Sequence, residues 1–288
     1  MRGDAATYYD RLSTWTRVAR WFGYGGGYDT GTVHRLLLDP AAGGRPTATR
    51  LHDILAETMP AIPAPRVLDA GCGLGGTMRD LATRWGGQYT GLTLSETQAA
   101  IGLRALAEAG LADRVRVHVQ SYDQPPAGPF DRIIAIESLA HSADPARSVG
   151  ALSQQLAAGG LFAIVDDMPM VSVAAAGAGR DLATFKRGWQ CPVLFSREQF
   201  VAALAANGLD VIVDRDLSDA YQPRPLARIA WLAAINRAAR VLLPSAGVRA
   251  MLDSYLGGLA LERLYHGRHM TYRLLVAQRP SGPSPSTP

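Results

Sequence analysis

The chain has 288 residues, with 29 Lys and Arg against 25 Asp and Glu for a formal net charge of +4. That length suits one elaborated α/β domain, with no Ser/Gly linker to divide it. Lys186 is the only lysine and the arginines are scattered, which argues against nucleic-acid binding. Two distant cysteines, Cys72 and Cys191, exclude a disulfide framework.

No apolar run reaches bilayer length, and the first thirty residues are aromatic, charged and glycine-rich rather than signal-like. A cytoplasmic protein with no integral membrane segment is expected. His266 and His269 have no acidic or cysteine partner at metal spacing, so no metal is proposed.

In chain order, residues 1 to 60 read as an N-terminal helical lid, with helices over 4 to 60 broken at the tip Gly23 to Tyr28. Tyr9 and Tyr24 offer aromatic faces that either shield a cation in a substrate site or staple the lid to the core. His34, beside Val33 and Leu36-Leu37-Leu38, is a substrate contact or an ordinary half-buried histidine. The core, residues 61 to 170, opens on Val67-Leu68-Asp69-Ala70-Gly71-Cys72-Gly73-Leu74-Gly75-Gly76. A buried strand ends in an acid and enters a glycine-rich turn that starts a helix. Ligands of open α/β folds bind at that sheet edge, and Gly71 and Gly73 let the backbone pass close to one.

A nucleotide-like cofactor is therefore expected. The glycine spacing is not that of a dinucleotide site, and the next strand, 88 to 92, leads to Thr93 where such a site usually has an acid. Ser95 caps the following helix, with Glu96 in its first turn. A half-buried strand over 114 to 119 leads to Ser121 and Tyr122.

The strand Phe130 to Ser138 is too apolar for an edge and reads as central. Glu137 at its end is costly to bury unless paired or functional, and strand ends are where α/β enzymes place catalytic groups. His141 follows four residues later, as a site residue or as a helix-end cap.

A strand over 160 to 166 completes the first half. Lid and substrate-cap insertions are assigned to residues 171 to 268, around a strand at 209 to 214 that follows a helix at 198 to 206. The tract Val171 to Arg180 is either a lid or a plain helix with a glycine hinge. The last strand falls within 269 to 280, and 281 to 288 read as a disordered tail. The alternation of strands and helices implies a Rossmann-like, doubly wound, mainly parallel seven-stranded sheet. Arg224 and Arg228, with Arg237 and Arg240 beyond, either clamp an anionic substrate head or are exposed helix arginines.

The order D-A-G-C-G-L-G-G resembles the first motif of class I S-adenosylmethionine-dependent methyltransferases. The G-L-T-L-S of residues 91 to 95 followed by Gln98, and I-E-S-L-A-H of residues 136 to 141, are similar to motifs of the subgroup holding cyclopropane fatty acid synthases, sterol methyltransferases and tocopherol methyltransferases. The resemblance implies S-adenosyl-L-methionine as cofactor and an antiparallel last strand. It puts Asp69 on the cofactor's ammonium and makes Gly71, Gly73, Thr93, Gln98, Ser121, Tyr122 and Ile136 cofactor-binding candidates. Glu137 and His141 face the site as catalytic candidates, and Tyr9 and Tyr24 belong to an aromatic lid. Thr93 replaces the carboxylate many relatives put on the ribose, and Asp123 falls one or two positions late for the adenine amino group.

A small-molecule acceptor is then expected, and a homodimer is left open. If the acceptor is an alkene carbon, methylation leaves a carbocation that Glu137 can stabilise and deprotonate. C-methylation of an isoprenoid, including a prenyl diphosphate, is the first expectation. An O- or N-methyltransferase of a phenolic or amine natural product, or a non-catalytic cofactor-binding protein, are the rivals.

Overall fold

The computed structural model describes residues 31 to 170, 178 to 242 and 245 to 281. Seven strands form one sheet: β3 (Arg66–Ala70), β4 (Gln88–Thr93), β5 (Val115–Val119), β6 (Phe130–Ile136), β7 (Leu156–Pro169), β8 (Asp210–Asp216) and β9 (Met270–Gln278), in the order β5-β4-β3-β6-β7-β9-β8. Neighbours from β5 to β7 are parallel, and β9 runs antiparallel to both β7 and β8. This is the expected doubly wound sheet with an antiparallel last strand.

The central strands are apolar because both faces are covered. Consecutive side chains go to opposite sides: Val67, Ile134, Val165 and Leu274 enter one core, and Leu68, Ile133, Ile164 and Leu275 enter the other. The first core is roofed by α1 (Thr49–Thr58), α2 (Gly76–Trp85) and α8 (Ala246–His266) through Leu51, Met78 and Leu264. The second is covered by α4 (Pro145–Ser153) and α6 (Arg197–Ala206) through Leu152 and Phe200. Leu106 of α3 (Glu96–Glu108) and Phe185 of α5 (Gly179–Gly188) add to the first core, and α7 (Leu226–Leu242) packs on α8.

Helix starts follow the side-chain chemistry. Ser95 accepts from the Gln98 N–H at the start of α3, with Glu96 in the first turn. At α6 the cap is reciprocal: Ser196 accepts from Gln199 N–H, and Gln199 Oε1 accepts from Ser196 N–H at 2.9 Å. Ser196→Ala is expected to cost about 1 kcal/mol in urea unfolding.

The expectation of helices over residues 4 to 60, broken only at the tip Gly23 to Tyr28, is corrected between Leu37 and Thr47. There β1 (Leu37–Asp39) and β2 (Arg45–Thr47) pair as an antiparallel hairpin around a 3₁₀ turn, Pro40–Ala42. Asp39 accepts from Ala41 N–H at 2.9 Å, and Gly43 turns left-handed at φ 67°. Two prolines and a glycine pair within eight residues override the helical composition of the flanks. The tip Gly23 to Tyr28, with Tyr9 and Tyr24, lies outside the described residues, as does most of Val171 to Arg180.

Candidate active site

β3 and β6 lie side by side, with Asp69 opposite Ile134, so the turn after β3 and the residues after β6 meet at the sheet's carboxyl edge. Gly71 has φ 117°, and a Cβ there would stand 2.4 Å from Ser138 Cβ. The glycine is thus required by the β6 loop as well as by any ligand. Asp69 is buried, its carboxylate has no hydrogen-bond partner among the described residues, and burial pushes that carboxyl up to about 7. The buried Ser138 hydroxyl is likewise without a partner. A buried acid and an orphan hydroxyl beside an open-backboned turn are fitted to a cationic, hydrogen-bonding ligand.

Across the turn, Thr93 Oγ1 donates to Gln98 Oε1 at 2.9 Å and accepts from Ser95 N–H at 3.2 Å. Tyr122 donates to the Ser138 carbonyl at 2.9 Å, and the Ser121 hydroxyl accepts from Asp123 N–H at 3.1 Å. Ile136 is half-buried at the end of β6.

Glu137 follows directly in the left-handed region at φ 47°, a strained backbone for a non-glycine residue. Its Oε1 accepts from Arg35 N–H at 2.8 Å and from the Tyr272 hydroxyl at 2.9 Å. Burial raises the Glu137 carboxyl above the usual range, against the pull of Arg35, while Asp167 adds to the rise. One carboxylate oxygen is anchored by two donors, and the other has no partner among the described residues.

The anchor rests on a buried cluster. The Arg35 guanidinium reaches Asp167 at 2.6 and 3.0 Å and the Tyr265 hydroxyl at 2.7 Å. It also lies over the rings of Tyr221, Tyr272 and Tyr265 at 4.4, 4.7 and 5.0 Å. Tyr265 hydrogen-bonds Asp167 as well. Arg35 belongs to a strap that crosses the glycine turn: Gly76 N–H donates to Gly31 O at 3.0 Å, and a Cβ on Gly76 would meet Gly31 backbone at 2.5 Å.

His34 sits in the same strap, buried, with Nδ1 2.9 Å from Arg35 O and Nε2 3.0 Å from His52 Nε2. Burial and His52 lower it to about 3, so it is neutral. His141 ends the 3₁₀ turn Leu139–His141, with Nδ1 4.0 Å from Cys191 Sγ. Burial lowers it to about 4, opposed by bonds to the backbone of Gln190 and Trp189.

The mycolic acid cyclopropane synthetase family model matches residues 50 to 166. A probable tocopherol O-methyltransferase of Oryza sativa subsp. japonica is 42% identical over 101 residues, 34% of this chain and 28% of that protein. The chain's match thus spans less than a third of that relative. A methyltransferase of Streptomyces halstedii is 29% identical over 224 residues, 75% of each chain. The fold is that of a geranyl diphosphate C-methyltransferase from Streptomyces coelicolor A3(2), solved with Mg2+, geranyl diphosphate and S-adenosyl-L-homocysteine, at TM-score 0.70 and 21% identity over 96% of this chain and 97% of that one. Over residues 50 to 166 the chain is thus similar to the mycolic acid cyclopropane synthetase family, and over the lengths given to the two methyltransferases.

In this chain the structure gathers Asp69, Gly71, Gly73, Thr93, Gln98, Ser121, Tyr122, Ile136 and Glu137 at or beside one sheet edge. His141 lies next to that group but is held by residues 189 to 191. His34 is tied to His52 rather than open to a substrate.

Of Arg224 and Arg228, read as either an anionic clamp or exposed helix arginines, one is paired and one exposed. Arg224 Nε lies 2.8 Å from Glu262 Oε1, and its Nη1 lies 2.9 Å from Tyr255 Oη; Arg228 is exposed on α7. Arg35, Asp167, Tyr265, Tyr272 and Ser138 went unread in the sequence. Asp167, in the run Asp166-Asp167 ending an apolar strand, carried a signal of the kind that singled out Glu137. Arg35, an arginine before three leucines, carried none. Among the described residues no group of three or more His, Cys, Asp or Glu is placed to hold a metal ion.

Proposed function

We propose that the protein methylates an alkene carbon of an isoprenoid, with Glu137 as the base. The observation that carries this is the Glu137 carboxylate itself, at a strained strand end beside the glycine turn, with one oxygen anchored and the other unpartnered among the described residues. The bound cofactor supplies an electrophilic methyl group on a sulfonium. Asp69 would bind the cofactor's ammonium, with the Ser138 hydroxyl free to take a further polar contact.

Attack of the acceptor's π electrons on that methyl carbon would form the carbon–carbon bond with S-adenosylhomocysteine as the leaving group, and would leave a carbocation on the acceptor for Glu137 to stabilise. Glu137 would take a proton from the carbon adjacent to the cation, and the electron pair of that carbon–hydrogen bond would restore the double bond. A carboxyl raised by burial is suited to this, because its basicity is brought nearer to neutrality. Tyr272 and the Arg35 amide fix the carboxylate's direction, which supplies orientation.

The geranyl diphosphate C-methyltransferase neighbour supports the isoprenoid class. The reading stands without a diphosphate clamp from Arg224 and Arg228. A second reading, O-methylation of a phenol, is favoured by the tocopherol O-methyltransferase match, and there Glu137 would only position the acceptor. Turnover of methyl-labelled cofactor against prenyl diphosphates, isoprenoid alcohols and phenols separates the two. Product from an isoprenoid that keeps its label through ether and ester cleavage supports C-methylation, and product from phenols alone refutes it.

The Asp69 carboxyl gives a pH test of the cofactor site. Raised to about 7, it is neutral in acid, whereas an ammonium favours the ionised form. S-Adenosylmethionine affinity should hold above pH 7 and fall below it, approaching about tenfold per pH unit. Binding near pH 6 should release a proton. Calorimetry in buffers of different ionisation enthalpy measures both effects, and Asp69→Asn should bind weakly with a flat pH profile.

A further inference from the structure

Helix α7, Leu226–Leu242, packs on α8 through Ile229, Ala233 and Asn236, which are buried. At 100° per residue those three point one way. The opposite side carries Ala227, Ala230, Trp231, Ala234, Ile235, Ala238, Val241 and Leu242, and every one is exposed. Trp231 is 62% exposed, Ile235 47%, Val241 80% and Leu242 76%, so the helix turns a continuous apolar stripe outward. A helix in a soluble domain normally reverses that arrangement, with its polar face outward.

The stripe has charged borders of one sign. Arg237 flanks one edge and Arg228 the other; both are exposed, and neither has an ion pair among the described residues. Arg240 pairs with Asp253 of α8 at 3.1 Å, and α7 contains no Asp or Glu. An outward apolar face with a tryptophan, bordered by unpaired arginines, has the amphipathic form of a helix that lies in a membrane interface. A second copy of the same helix would bring like charges together along both borders, which disfavours self-pairing.

We propose that α7 is a peripheral docking helix for anionic phospholipid surfaces. The apolar stripe would sink to the headgroup boundary while Arg228 and Arg237 lie against lipid phosphates. Such docking would bring the protein to where hydrophobic acceptors concentrate. It does not depend on which acceptor is methylated, since it concerns a face built without the residues of the active site.

The test is sedimentation of the full-length protein with vesicles of phosphatidylcholine alone and of phosphatidylcholine with phosphatidylglycerol. The protein should pellet with the anionic vesicles, far less with the neutral ones, and less as salt is raised. The double change Trp231→Glu with Ile235→Glu should weaken binding at least tenfold, and Arg228→Gln with Arg237→Gln should remove the preference for anionic lipid. Both pairs lie on the surface, so S-adenosylhomocysteine affinity should be unchanged, which reports an intact fold without reference to methyl transfer.

The proposal is overturned if the protein ignores both vesicles, or if the glutamate pair binds them as the unchanged protein does. It is equally overturned by a dimer that Trp231→Glu dissociates, or by oxidative footprinting that finds Trp231 already shielded in the lipid-free monomer.

Discussion

Glu137→Gln is expected to lower single-turnover methyl transfer by about 10²- to 10⁴-fold, the range of a lost general base, while S-adenosylmethionine affinity stays nearly constant. The amide keeps the side chain's shape, and its carbonyl oxygen can still accept from Arg35 N–H and the Tyr272 hydroxyl. What disappears is the negative charge and the capacity to take a proton. Chemistry and binding therefore separate, and rapid-quench single turnovers with calorimetry on the same preparation read them independently. Transfer at the unchanged rate would assign Glu137 to positioning and favour the phenol reading.

Arg35→Ala is expected to destabilise the fold by about 3–5 kcal/mol, the range for removing one partner of a buried ion pair. Asp167 is buried and would lose both guanidinium bonds, and Tyr221, Tyr265 and Tyr272 would lose the cation they surround. A second effect reaches Glu137. Burial raises that carboxyl and Arg35 opposes the rise, so removing the guanidinium lifts it further. A base works above its own pKa, so the acid limb of the kcat profile should move to higher pH. Arg35→Lys keeps the charge without the fork and should recover part of the stability and most of the pH shift. Urea unfolding and pH–rate profiles check the two effects, and an unmoved acid limb in the folded Ala variant would break the link between Arg35 and Glu137.

The central strands and the glycine turn were legible because their determinants are local. Val67 to Gly76 announces a strand, an acid and an open-backboned turn within ten residues, and Phe130 to Ile136 shows by its apolarity that both faces are covered. Glu137 stood out because a carboxylate after such a run is costly without a purpose.

The cluster that holds Glu137 was illegible for the opposite reason. Arg35 meets Asp167, Tyr265 and Tyr272 across separations of 132 to 237 positions, and the sequence offers no period or spacing that joins them. The pairing of Arg224 was illegible in the same way, since Glu262 lies 38 residues on in another helix. The hairpin from Leu37 to Thr47 was missed although Asp39-Pro40 and Gly43-Gly44 are local turn signals.

The proposed chemistry is tested most directly by the mass of the product formed from a prenyl acceptor and cofactor carrying a fully deuterated methyl group. C-methylation with Glu137 removing a proton from the acceptor predicts a product that retains all the methyl deuterium, has lost one acceptor hydrogen, keeps its double bond and resists ether and ester cleavage. Loss of deuterium from the transferred carbon, or a label released by that cleavage, would contradict it.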